Sequence, residues 1–145
     1  MKTSIIGRNL IKTFEGYRSE AYLCPAGVWT IGYGHTRGVS EGDTCTKEQA
    51  DLFLQEDLRE AEMTVESTGL NLSQLQFDAL VSLVYNIGSG NFYESTLLKR
   101  LKASTAASES LEEAWKRWKY AGGEVMNGLV RRRAAEWSLY KRGFF

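Results

Sequence analysis

The sequence predicts an α+β fold, with a small N-terminal lobe carrying a β-hairpin, a linking helix, and an all-helical C-terminal lobe. Three observations carry this reading. Apolar residues recur at helical spacing before residue 16 and again after residue 46. Between them, residues 21–33 are rich in β-branched and aromatic side chains on either side of one turn. Glycines at 32, 34, 38 and 42 then hold the chain in turns rather than regular structure.

The first helix is expected over residues 4–15, where Ile6, Leu10, Ile11 and Phe14 share a face and Gly16 supplies a stop. Ala21–Leu23 and Val28–Tyr33 read as strands joined through Pro25-Ala26-Gly27. Thr46 and Gln49 form a capping-box pair that opens one long helix running to about Glu66. Ser73 and Gln76 form a second such pair. The helix they open is almost continuously apolar through Phe77, Leu80, Val81, Val84 and Tyr85, so it should be central and buried. Further helices are expected over 95–102, from Ser110 with Glu113 to Tyr120, and over 128–141 behind an Asn127 cap. The whole reads as one domain, 1–145, with lobes at 16–65 and 70–145 and the first helix packing with the C-terminal lobe. A cleft between two such lobes suits a polymer substrate.

At 145 residues and 25% charged, the chain can bury a core without disulfide or metal staples. The formal charge of zero conceals an acidic middle, residues 40–95, and a basic end that closes on Arg131-Arg132-Arg133 and Lys141-Arg142. Such an end suits an anionic polymer or surface, or simply solvates its helices. Cys24 and Cys45 do not make a disulfide framework, and with only His35 beside them they make a poor metal site, so no metal is expected. The N-terminus meets charge too early for a signal peptide, and no apolar run is long enough to span a membrane. No membrane anchor is therefore expected, and the chain as given should fold in a cytoplasm.

Glu15 is the acidic residue of the first helix, in its last turn, where the helix dipole disfavours a carboxylate. A conflict of this kind between residue and position often marks function. Cys24 follows after eight intervening residues and Thr30 after five more; the strand then continues Ile31-Gly32-Tyr33-Gly34-His35-Thr36. This pattern resembles the signature of the phage-type lysozymes, glycoside hydrolase family 24. Gln76-Phe77-Asp78-Ala79-Leu80 with Tyr85-Asn86-Ile87-Gly88 is similar to that family's central helix. Trp118-Lys119-Tyr120-Ala121-Gly122-Gly123 and Gly128-Leu129-Val130-Arg131-Arg132-Arg133 are similar to its C-terminal signature. The four stretches occur in the family's order and span nearly the whole chain.

The resemblance implies a lysozyme-like fold and a role for each matching residue. Glu15 would protonate the leaving glycosidic oxygen, while Cys24 and Thr30 would hold and polarise the attacking water. Strand alternation would place Thr30, Gly32 and Gly34 on one face. Gly34 and Thr36 would then lie along the substrate, glycine allowing a sugar ring to approach the backbone. Tyr85 and Asn86 would form the opposite wall, Asn86 offering a donor and an acceptor to an acetamido group. Tyr85 fits helix core equally well, and Trp118 fits either a place near Asn86 or the core. Trp29, Trp115 and Trp137 are assigned to packing. His35 is expected to fix a turn by hydrogen bonding rather than to act as a base. Arg132 would turn inward to pair with Glu15, leaving Arg131 and Arg133 at the surface.

The implied reaction is hydrolysis of the β-1,4 bond between N-acetylmuramic acid and N-acetylglucosamine in bacterial peptidoglycan. The signature holds one carboxylate, so direct displacement by water with inversion fits better than a second-carboxylate nucleophile. Cys24 is read as orienting that water rather than attacking the sugar. No cofactor is needed. The family setting further implies an endolysin, a monomer binding glycan strands and not nucleic acid. It would wait in the host cytoplasm until a holin breaches the membrane, then act on the wall. Two other readings remain open: a lytic transglycosylase, and a wall-binding module that lost its chemistry at Cys24.

Overall fold

The computed structural model describes residues 1–103 and 106–143; the last two positions of the expected C-terminal lobe lie outside them. The first helix, α1 (Ile5–Glu15), is capped by Ser4, whose side chain accepts from the Gly7 amide, and stops at Gly16, where φ is +75°. A two-stranded antiparallel hairpin follows, β1 (Arg18–Leu23) and β2 (Trp29–Gly32), with Arg18 opposite Gly32 and Leu23 opposite Trp29. Thr46 and Gln49 close the expected capping box on α2 (Lys47–Asp57). The single long helix anticipated here is in fact two, α2 and α3 (Arg59–Ser67). They are separated at Leu58, which is fully buried and whose amide bonds back to Leu54 and Glu56. Leu58 stays near-helical at φ −76° and ψ −13°, and hydrophobic periodicity carries no sign of the break.

The second capping box is also formed: Ser73 accepts from the Gln76 amide and opens α4 (Gln74–Ile87), buried continuously from Gln76 to Val84. A short helix that the pattern did not announce, α5 (Ser89–Tyr93), comes next, then α6 (Thr96–Ala103). α7 (Ser108–Lys116) starts two residues earlier and stops four earlier than expected, and its cap is not Ser110. Glu113, expected to complete a capping box there, instead bonds Arg100 at 2.8 Å and Arg117 at 2.7 Å. A second small hairpin, β3 (Tyr120–Ala121) with β4 (Glu124–Val125), turns at Gly122-Gly123, both at positive φ as a tight two-residue turn requires. The last helix, α8 (Asn127–Arg142), includes Asn127 as its first residue and has no side-chain cap bond.

The main core gathers Ile11, Leu58, Phe77, Leu80, Phe92, Leu97, Trp115 and Trp137 around α4. A smaller cluster of Ile31, Cys45 and Ala50 fastens the first hairpin to α2. α1 belongs to both halves of the molecule. It packs on α4 and α8, so closely at Gly7 that a Cβ there would sit 2.7 Å from Asp78. It is also tied to α2 through Lys12 and Arg8, which both reach Asp51. Burial opposes the charge on Asp51, but bonds from Lys12 and Gln55 and the charge of Arg8 outweigh it and hold its carboxyl below the usual range. The end of α1 is thereby fixed relative to both the hairpin and the helical lobe.

Candidate active site

The terminal residue of α1, Glu15, is 23% exposed at the side chain and lies where three elements converge. From α8, Arg132 donates to Glu15 Oε2 through Nη1 at 2.7 Å. From the turn after β2, Gly34 lies so near that a Cβ there would come within 3.3 Å of Glu15 Oε1. The same imagined atom would lie 4.0 Å from the Tyr85 hydroxyl on α4. Burial, together with the charges of Glu15 and Asp57, pushes the Tyr85 hydroxyl far above its ordinary range, so it stays a neutral donor.

Gly34 reaches this position by a turn, which corrects the expected strand alternation. β2 ends at Gly32, at φ +66°, and Ile31 and His35 exchange both backbone hydrogen bonds at 2.9 Å. Gly34 itself is at φ +93°, a conformation that favours glycine. His35 anchors the loop: its ring stacks on Phe53 at 4.3 Å and its Nδ1 lies 2.8 Å from Asp57 Oδ2 on α2. The loop then leads into a groove of about 580 Å³ lined by Gly34, Thr36, Arg37, Asp57, Met63 and Tyr85 among others. A smaller groove continues it along Asp57, Tyr85 and Gly88. Another groove of similar size, about 570 Å³, lies between Lys2, Arg8, Leu52 and Phe53 and holds none of the expected site residues.

Cys24 and Thr30 come together at the closed end of the hairpin. The Cys24 thiol is drawn below its ordinary range by hydrogen bonds from the backbone of Val28 and Ala26, with a lesser contribution from the Thr30 hydroxyl. Thr30 is buried, and its Oγ1 also lies 3.0 Å from the Val28 carbonyl. A hydroxyl has one proton, so Thr30 donates to Cys24 or to Val28 but not to both. Local backbone amides, rather than a distant charge, govern this thiol. Both cysteines are free thiols. Cys45 pairs its amide with Ser19 at the open end of the hairpin, whereas Cys24 lies past Leu23 at the closed end. Five residues of strand separate those ends by roughly 15 Å, more than a disulfide can bridge.

The remaining expected residues are more dispersed. Thr36 and Asn86 are exposed, while Tyr85 and Trp118 are half-buried and pack against the main core. The Trp118 carbonyl accepts from Arg133 Nη1 at 3.2 Å. Arg133 is not at the surface as expected: it is wholly buried beside Glu136. The reason is the spacing on α8. Glu136 stands four residues after Arg132 and three after Arg133, so one carboxylate meets both cations. That spacing was present in the sequence and could have revealed the pair. Trp115, assigned to packing, also donates to Glu136 Oε1 at 3.1 Å. Among the described residues, no group of three or more His, Cys, Asp and Glu side chains is placed to hold a metal ion.

The phage lysozyme family profile matches residues 12–136. The endolysin of Acyrthosiphon pisum secondary endosymbiont phage 1 is 42% identical over 144 residues, covering 97% of this chain and 99% of that protein. Among solved structures, the muramidase domain of SpmX from Asticaccaulis excentricus superposes with a TM-score of 0.88 at 40% identity, over 96% of this chain and 97% of that one. A variant of P22 lysozyme superposes with a TM-score of 0.86 at 36% identity, over 97% and 99%. The mixed fold of helices and small antiparallel sheets is the one these lysozymes share. Matched by the family profile over residues 12–136 and by a relative over nearly its full length, the chain belongs to the phage lysozyme family.

Proposed function

We propose that this chain is an endolysin that hydrolyses the β-1,4 bond between N-acetylmuramic acid and N-acetylglucosamine, with Glu15 as general acid. The observation that carries the reading is the setting of Glu15, a half-buried carboxyl paired with Arg132 and close against the Gly34 turn, with Gly34 and Tyr85 lining the groove. A glycan strand lying in that groove brings a glycosidic oxygen against Glu15, which delivers its proton as the bond breaks. Gly34 keeps the backbone clear of both the carboxyl and the sugar. The hairpin supplies a second polar pair, Cys24 and Thr30, to orient a water on the opposite face of the ring. That arrangement needs no second carboxylate and inverts the anomeric centre. Thr36, Tyr85, Asn86 and Trp118 are assigned to substrate contact along the cleft walls.

The reaction consumes water and needs no cofactor. The target is the cell wall; access to it from the cytoplasm through a partner holin, and action as a monomer, belong to the same proposal. Among the described residues, no helix is long and apolar enough to cross a membrane. Clearing of outer-membrane-permeabilised cells, followed by mass spectrometry of the released fragments, tests the function. Fragments carrying one added water support hydrolysis. Anhydro sugars would make the chain a lytic transglycosylase, and a failure to clear would leave only a wall-binding role.

A further inference from the structure

The buried charges behind Glu15 form a chain that the general-acid reading does not itself require. Glu136 is wholly buried in α8. Its Oε2 accepts from the Ser82 hydroxyl of α4 at 2.5 Å, from Arg133 Nη2 at 3.1 Å and from Arg132 Nε at 3.3 Å. Its Oε1 accepts from the Trp115 ring of α7 at 3.1 Å. Arg133 Nε also lies 2.8 Å from Oε1, close enough to pair as an ion but out of line for a hydrogen bond. Arg132 is thereby engaged in three directions: Nε on Glu136, Nη2 on Ser82 at 3.4 Å, and Nη1 on Glu15.

A general acid must spend part of each cycle neutral, and while it is neutral it cannot balance the charge of its arginine. Arg132 is only 3% exposed, so it cannot turn to water for compensation. We propose that Glu136 is the positioning residue of this site, a buried counter-ion that holds the Arg132 guanidinium in one place whether Glu15 is charged or neutral. Trp115 and Ser82 fix the Glu136 carboxylate from two other helices, and Arg133 shares its charge. The guanidinium then offers Nη1 to Glu15 as a fixed donor. The inference rests on the reading of Glu15 as the acid.

The charged and titratable groups around the pair are few. Arg132 faces Glu15 from α8, Tyr85 faces it from α4, and Asp57 on α2 acts through Tyr85. On the far side, Glu136 meets Arg132 and Arg133 of its own helix, Ser82 and Trp115. Removing the negative charge at Glu136 leaves Glu15 as the remaining anion in contact with Arg132, which favours the charged form of Glu15. In Glu136→Gln the high-pH limb of the clearing rate should therefore move to lower pH, by about one unit, and Glu136→Asp should restore much of it. A merely structural role would lower the rate at every pH without moving the limb, and that result overturns the proposal.

A second measurement does not require Glu136→Gln to fold. In Glu15→Gln, which mimics the neutral acid, proton NMR of the Arg132 Nε–H reports whether the guanidinium stays in place. Slow solvent exchange equal to that of the parent supports the clamp. Exchange as fast as that of a surface arginine overturns it. This arm reads no activity, so it can fail while Glu15 remains the acid. Conversely, an active Glu15→Gln would refute the general-acid reading without touching the geometry at Arg132.

Discussion

Arg132 Nη1 lies 2.7 Å from Glu15 Oε2, a contact that joins the last helix to the end of the first across 117 positions of chain. It couples the stability of the fold to the chemistry of the site. The guanidinium is buried and the carboxyl is partly exposed, so the pair is screened on one side only.

Arg132→Ala removes a positive charge in direct contact with Glu15. The proton is then retained to higher pH, and activity that needs the protonated acid extends upward with it. The high-pH limb of the clearing rate should rise by about one unit. Its sign is opposite to that expected for Glu136→Gln, so the two profiles measured side by side check each other. An unmoved limb in Arg132→Ala would show that the pair does not govern the acid.

Gly34→Ala tests the closeness of the turn. The residue sits at φ +93°, and a Cβ would press on Glu15 Oε1 at 3.3 Å. The backbone strain should cost about 1–3 kcal/mol in thermal denaturation, and clearing should fall by at least tenfold. Gly42, at φ +88°, faces open space instead. Gly42→Ala should therefore lose stability by a similar amount and keep its activity. Equal activity in both variants would remove Gly34 from the site.

Cys24 and Cys45 should differ sharply toward iodoacetamide. The Val28 and Ala26 amides draw the Cys24 thiol down, so its thiolate appears at lower pH than that of an ordinary cysteine. Cys45 is buried, and burial pushes its thiol up. Mass spectrometry of the folded protein near neutral pH should find one alkylated residue, Cys24, with the rate rising below the usual thiol range. On the role proposed for Cys24, the modified protein should be inactive. Preferential labelling of Cys45 would contradict this account.

Thr30→Val keeps the shape and removes the hydroxyl. One of the donors that lowers the Cys24 thiol disappears, so alkylation of Cys24 should need a higher pH. Clearing should also fall if the hydroxyl holds the attacking water. Full activity in Thr30→Val would reduce it to a strand residue.

Much of this fold was legible in the sequence because the signals were local. The two capping boxes at Thr46 and Ser73 formed as their spacing demanded, and Gly16 ended the first helix where expected. The break at Leu58 and the α5 turn carry no local signal of this kind. The Glu15–Arg132 pair came from the resemblance and not from periodicity, which says nothing about contacts between the first and last helices. Glu136 went unnoticed although its three- and four-residue spacing from two arginines on one helix was visible. His35 anchors its turn through hydrogen bonding to a partner 22 residues away on α2, a pairing no local pattern announces.

The central claim is that Glu15 delivers the proton. Glu15→Gln keeps the size of the side chain and an acceptor for Arg132, but has no acidic proton to give. Clearing of permeabilised cells by this variant should fall by about 10²–10⁴-fold, while circular dichroism and the melting transition show the parent's fold. A folded Glu15→Gln protein that clears cells within tenfold of the parent's rate would contradict the account.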